Sequence, residues 1–577
     1  MGEPRTLRLT CPPPLHWVGM SSDTFRNPSR LDLACETFVH DLAALSPLSA
    51  TEWGFTEYNG DMEDFSPEHH DAVAERTRRM LDEVDSLEKA AAGDGDVDFD
   101  DVDRVTAAVL RDRLGLQLEL HEAGEDIRQL DNIASPVQWI RDTFSIMPTD
   151  TTEARADIIS RLGHVPRALD GHRASLMLAA ERGHVAARRQ VEQVIAQCED
   201  LAGDESSLNG IGIDADQAEL VRAREAFGVM ATWLRETLLP QAPTADGVGR
   251  ERYERFSREF VGATVDLDEA YEWGLTRLAE IVAEQEAIAV ECFGEGTTVE
   301  EAMNRFNADE RYRLDGVDAL KEWMQVTADR AIADLDGTAF TIPEPVRTIE
   351  CCIDPAGTGG IFYTPPSSDF TRPGRMWWSV PKGETVFHTW QELTTVFHEG
   401  VPGHHLQIGQ TLCESDKLNL WRRVACWNSG QGEGWALYAE QLMADLGHHT
   451  DPATRMGLLD GQRLRAARVV LDIGVHLGKT TPDGGTWDAD YAASFLRANS
   501  AMAGANLDFE LNRYLGWPGQ APSYALGQRL WQELRDEALD RGMTLPQFHA
   551  EVLALGSIPM GILRDCVLDG LDGGENR

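Results

Sequence analysis

The sequence predicts a mainly α-helical fold with one small β-sheet, and three observations carry that expectation. From about Arg30 to Leu335, apolar residues recur at helical spacing with charges between them. Between Thr338 and Pro381 the chain reads TAFTIPEPVRTIECCID, GTGGIFYTPP and GRMWWSVP, rich in β-branched and aromatic residues and broken by Gly and Pro. From Thr385 the helical pattern returns and runs to the end.

The individual elements follow from the same patterning. Residues 72–91 place Val73, Met80, Val84 and Leu87 at steps of seven, four and three, which puts them on one helical face. Similar periodicity recurs over 102–123, 152–169 and 215–239. The acidic run GDGDVDFDD at 93–101 predicts a loop between two helices. No fixed-period repeat is present. The adjacent Cys351 and Cys352 read as strand packing rather than chemistry.

Composition narrows the function classes. The 577 residues include 97 acidic and 52 basic side chains, for a net charge of −45. Phosphate backbones need a basic surface, so nucleic acid is not expected as a partner. With 42% apolar and 26% charged residues the chain is globular by composition. Nine cysteines without repeated spacing do not form a disulfide framework. No window approaches ~18 consecutive apolar residues, so no membrane span is expected. The N-terminus shows no apolar run of signal-peptide length. The expected location is cytoplasmic, with no membrane partner.

The chemistry-bearing segment is HEGVPGHHLQ at 398–407. A zinc helix of the HExxH type places two imidazoles on one face and a glutamate between them to work on water. Here the position four after His398 is Pro402, so the strict spacing fails. The second histidine is then His404 or His405. In a straight helix, rotation favours His405, which lies ~700° round from His398, but its rise of ~10.5 Å is too long for one ion. Pro402 cannot donate to the His398 carbonyl and crowds it, while Gly403 is conformationally free. A bulge at Gly400–Pro402 is therefore expected to carry His404 to the ligand position and turn His405 away, toward a carboxylate.

Three further motifs add polar groups. GEGWALYAE at 432–440 supplies Glu433, 29 residues after His404, as a carboxylate ligand. Glu440, two turns later, is placed to orient a ligand histidine. Arg468, Asp472 and His476 stand at four-residue steps on an apolar helix and form one polar face. RYLGWPGQAPSY at 513–524 brings Arg513, Tyr514 and Tyr524 beside a Pro-Gly turn. His476, Tyr514 and Tyr524 are candidates to stabilise negative charge on a tetrahedral oxygen. Gly359 and Gly360, ahead of the zinc helix, would let a substrate backbone approach a strand.

The flanks of His398 resemble the zinc helix of thimet-oligopeptidase-type enzymes with two residues inserted. GEGWALYAE resembles the acidic helix of aminopeptidase-N-type enzymes. The four motifs HEGVPGHHLQ, GEGWALYAE, RAARVVLDIGVH and RYLGWPGQAPSY together resemble the bacterial family of domain of unknown function 885, from roughly Arg30 to Leu568. Pro522 and Ala525 depart from that pattern. The family looks related to the gluzincin metallopeptidases, which implies a large helical body with a deep cleft and the small sheet next to the zinc helix.

The reading that follows is a zinc-dependent hydrolase of small peptides. His398, His404 and Glu433 would hold Zn2+ and Glu399 would act as general base, with His405, Glu440, Arg468, Asp472 and Arg513 in support. A zinc amidase acting on a non-peptide metabolite and a metal-free binding protein on a peptidase scaffold are the alternatives. By this reading residues 1–29 form an N-terminal segment, 30–337 a helical scaffold, and 338–577 the zinc-site catalytic region, joined in one fold.

Overall fold

The computed structural model describes residues 26–93, 98–354, 360–367, 370–502 and 504–569. It is mainly α-helical with small mixed sheets. The expected helices are present, with ends set by local chemistry. Pro67–Ala92 starts where Ser66 accepts from the His69 N–H and Pro67 takes the first turn, and it buries Met80 and Val84. Asp101–Glu122 opens on a capping box made by Asp100 and Asp103. Thr152–Glu181 runs past the expected end, through Pro166. Ala218–Trp233 passes into a π-helical turn at Leu234–Leu238 just ahead of Pro240.

The sheet expected before the His398 helix is three-stranded in the order β2-β4-β3. Strand β2 (Ile349–Asp354) runs parallel to β4 (Gly374–Ser379), and β3 (Ile361–Thr364) runs antiparallel to β4. Cys351 is buried on β2 opposite Met376, in the packing role its sequence suggested. Two strands lie where helix was expected. β1 (Arg313–Asp315) and β5 (Val386–His388) pair antiparallel, with Leu314 opposite Phe387. At three residues each, such strands are too short for a period-two pattern to show, and they form only because the fold brings them together. β5 leads straight into the helix Thr389–Glu399.

One buried cluster joins Phe38 and Met80 from the N-terminal helices, Met376 and Trp378 from the sheet, Phe397 beside His398, and Trp435, Trp531 and Phe548 from the C-terminal helices. A second core, including Val137, Leu162 and Phe227, is built from the N-terminal half alone. The helices that carry His398, His404 and Glu433 stand against this first core, whereas Val469, Ile473 and Tyr514 of the later motifs pack in a third cluster. Among the described residues, no helix is long and apolar enough to cross a membrane.

Candidate metal centre

The helix Thr389–Glu399 delivers His398 and Glu399 in its last turn and stops at Gly400. The expected bulge within a continuous helix is not formed. The helix ends, residues 400–403 make a loop with a cis Val401–Pro402 peptide, and a new helix, His404–Cys413, begins. Pro402 has no N–H with which to continue the ladder. The loop then folds back tightly: the Gly403 N–H donates to the Phe397 carbonyl at 3.0 Å. A Cβ on Gly403 would lie 1.8 Å from the His398 carbonyl oxygen, so only glycine fits there. Trp435 Nε1 donates to the Pro402 carbonyl at 2.8 Å and ties the loop to the Glu433 helix, Ser429–Asp445.

This break brings His398, His404 and Glu433 together. Their ligand atoms all lie within 4.8 Å of one another. His398 Nε2 is 3.5 Å and His404 Nε2 3.6 Å from Glu433 Oε2. Ligand pairs around a tetrahedral zinc with ~2.0–2.1 Å bonds stand about 3.3–3.5 Å apart, and the two Glu433 pairs come close to that spacing. The two imidazoles meet edge to face with centroids 4.9 Å apart.

Glu440 lies on the same helix as Glu433, two turns on, and takes the other side of the histidine. His398 Nδ1–H donates to Glu440 Oε1 at 2.7 Å, and Thr394 Oγ1–H donates to Glu440 Oε2. That hydrogen bond commits the Nδ1 proton and turns Nε2 toward Glu433. Burial works against charge on His398, but Glu433 and Glu440 outweigh it and lift the pKa to about 10. Burial would raise Glu433, yet the two imidazoles hold it well below the usual carboxylate range. Glu399, buried beside the triad, is raised by loss of solvent and partly drawn back by His398 and His404. The centre therefore stabilises positive charge and could chelate a metal.

His405 faces the opposite way, but to neutral partners rather than the expected carboxylate. Its Nε2–H donates to the Val346 carbonyl at 2.8 Å, and its Nδ1 accepts from Tyr363 of β3 at 3.0 Å. Burial lowers its pKa to about 4, so it is uncharged at neutral pH.

The Arg468–Asp472–His476 face of the helix Pro452–Leu477 is buried in its own network. Arg468 donates to the Tyr514 hydroxyl at 2.6 Å and to Glu510 at 2.9 Å, and the Tyr514 hydroxyl donates to Glu510. Asp472 accepts from Tyr253 at 2.7 Å and from the Gly519 N–H at 2.9 Å. His476 Nε2–H donates to the Tyr514 carbonyl at 2.9 Å, and its ring stacks on Tyr253. The contacts of His476 and Tyr514 are thus with this network. Tyr524 is half-buried, with Arg468 over its ring at 5.4 Å. Arg513 lies 3.7 Å from Glu510. The Gly360 carbonyl accepts from the Ser379 N–H, whereas Gly359 lies outside the described residues.

Sequence reasoning missed Thr394, Trp435 and Tyr363. Thr394 stands one turn before His398, a spacing that could have flagged it. Tyr363 reaches His405 across 42 residues, and no local pattern marks such a contact.

Over residues 47–567 the chain matches the family described as bacterial protein of unknown function (DUF885), and it belongs to that family. Two solved structures share the fold. One, a candidate lipoprotein from Colwellia psychrerythraea, is 22% identical with a TM-score of 0.77, covering 93% of this chain and 98% of its own. The other, a candidate lipoprotein of unknown function from Shewanella oneidensis, is 15% identical with a TM-score of 0.72, covering 94% of this chain and 100% of its own. No curated protein matches the chain. These relatives overturn the cytoplasmic expectation, since a lipoprotein is held at a membrane by its acyl chains. Such an anchor needs no apolar helix, so the lack of one was no guide to location.

Proposed function

From this family membership and this centre, we propose that the protein is a zinc-dependent hydrolase of short peptides, with the metal held by His398, His404 and Glu433. The observation that carries the reading is the spacing of 3.5 and 3.6 Å from Glu433 to two imidazoles, one of them already oriented by Glu440. Two histidines flanking a glutamate, then a carboxylate on a later helix, is also the ligand order of the gluzincin metallopeptidases. A zinc ion there would polarise the scissile carbonyl and make water nucleophilic at neutral pH. Glu399 takes the proton from the attacking water and later returns it to the leaving amine. Its raised pKa suits both tasks. The Tyr524 hydroxyl donates to the oxygen on which negative charge develops.

In this reading substrate approaches the centre from the Glu433 side, where that side chain keeps 22% of its surface in solvent against 8% for His398. β3 is an outer strand of its sheet and offers an edge to an extended peptide. Residues 30–337 and 338–577 act as one fold around the shared core. The lipoprotein relatives support a membrane-anchored setting for the reaction.

The test is Glu399→Gln, nearly isosteric, on protein purified without chelators and assayed with a dipeptide and tripeptide library. The expected result is full metal content with hydrolysis reduced ~10²–10⁴-fold. Turnover near the wild-type rate would remove Glu399 as the base, and wild-type protein that binds no metal would remove the whole reading.

A further inference from the structure

The reaction above uses Tyr524 and leaves the buried polar groups around it unused. The helix Ser523–Asp540 meets the Glu433 helix at backbone contact. Ser429 and Ser523 share a hydrogen bond of 2.7 Å. A Cβ on Gly527 would lie 2.2 Å from the Gly430 carbonyl oxygen, and one on Gly434 would lie 2.5 Å from the Gly527 carbonyl carbon. Tyr524 stands between Ser523 and Gly527, and Glu433 stands between Gly430 and Gly434. The paired contacts therefore hold together the backbones that carry the tyrosine and the metal ligand. The tyrosine's pKa agrees with that position: burial pushes it up to about 12, and the Glu433 charge is the next cause.

Two arginines lie around the tyrosine, and they differ. Arg468 is fully engaged with Tyr514 and Glu510. Arg513 shares Glu510 only at 3.7 Å, and its Nε and Nη2 are buried without a hydrogen-bond partner among the described residues. Gln520 Oε1, one turn before Tyr524, is likewise buried and unpartnered. Two guanidinium groups thus face a single firmly ionised carboxylate, Glu510. The other nearby acid, Asp472, is lifted by burial to about 7. A desolvated guanidinium edge with free N–H groups matches the two oxygens of a carboxylate in one plane.

We propose that Arg513 captures a carboxylate of the substrate, so that the preferred peptides carry one close to the scissile bond, at a free C-terminus or on an acidic side chain. The inference rests on the metallohydrolase reading and adds the substrate class. Capture at Arg513 fixes one end of a short peptide while the triad takes the carbonyl to be attacked, and Tyr524 lies between the two. Binding energy from an anchored carboxylate is then used to position the amide.

The experiment compares three tripeptides on the zinc-loaded protein: a free C-terminal acid, its amide, and an amide with glutamate in the second position. The expected result is a kcat/KM about 10²-fold higher for a carboxylate-bearing peptide than for the plain amide. The acid and glutamate arms identify which carboxylate is read. Arg513→Met should bring kcat/KM for the carboxylate-bearing peptides down to that for the plain amide, and Arg513→Lys should restore part of the preference. Equal kcat/KM for all three peptides on wild-type protein would overturn the inference and leave the hydrolase reading intact. Cleavage of none of them would instead defeat the hydrolase reading. Calorimetric binding of acid and amide to the Glu399→Gln protein then decides: tighter binding of the acid, weakened by Arg513→Lys, supports capture, and equal binding overturns it.

Discussion

The triad and the Arg468–Asp472–His476 face are both buried polar arrays on helices, yet they are built to opposite ends. On the Arg468 face, each side chain has a protein partner: Tyr514 and Glu510 for Arg468, Tyr253 and the Gly519 N–H for Asp472, the Tyr514 carbonyl for His476, with Asp472 Oδ2 and His476 Nδ1 left unpartnered among the described residues. At the triad the protein secures the far side of His398, while His404 Nδ1 is buried without a hydrogen-bond partner among the described residues. Glu440 holds His398 from behind, and the inward atoms of two imidazoles and a carboxylate converge at 3.5–3.6 Å from Glu433. Polar groups that close on one another stabilise a fold, while groups held from behind and aimed at a common point can hold an ion. Both arrays place polar residues on otherwise apolar helices, so the residue pattern alone does not separate the two.

The contrast is most sharply broken by metal analysis of His404→Ala beside His405→Ala. The first should lose tightly bound metal and all hydrolysis. The second should keep metal and lose about 1–3 kcal/mol of stability with its bonds to Val346 and Tyr363. The reverse pattern would hand the ligand role to His405. A smaller effect is expected from Glu440→Gln, which leaves the three ligands in place but weakens the hold on His398 Nδ1. Metal affinity should fall ~10–100-fold in a competition titration. Unchanged affinity would show that the rear hydrogen bond does not tune the site.

The smallest effect concerns the Arg468 face. Burial raises Asp472 from an ordinary 3.8 to about 7 in the folded chain. Between about pH 4 and 7 the folded state keeps a proton that the unfolded chain gives up, so this residue's contribution is present at low pH and lost as pH rises through about 7. Asp472→Asn, neutral throughout, should flatten that fall in stability. Denaturant titrations at pH 5 and pH 8 measure it as the difference between the two proteins. An identical pH dependence in both would place the ionised form of Asp472 in the native network. Metal content should be the same in the two proteins.

Much of the fold was legible because long helices repeat one signal over many turns. Met80 and Val84 report a buried face however the rest of the chain folds. The sheet was legible from β-branched and aromatic density in ECCID and GRMWWS, but its β2-β4-β3 order was not, because strand order depends on which edges meet. β1 and β5 left no trace, since three residues are too few for a pattern. At the centre, the residue types were legible from His398, His404 and Glu433, and the loop geometry between the histidines was not. The expected bulge assumed a helix that continues, whereas the chain ends one helix and starts another.

What the sequence alone determined is chemical identity and local period: imidazole, imidazole and carboxylate in that order, Glu440 two turns after Glu433, and Pro402 with Gly403 as a disturbance of the helix after His398. What tertiary structure decided is direction. His404 faces Glu433 because Trp435, on another helix, holds the Pro402 carbonyl, and His405 is drawn off by Val346 and Tyr363 from two further segments. Arg513 is left with free N–H groups because the helices around it engage Arg468 more fully. Each of these outcomes depends on groups tens to hundreds of residues apart in the chain. Local propensity sets the angle of a side chain on its own helix, and only packing sets the angle of one helix to another.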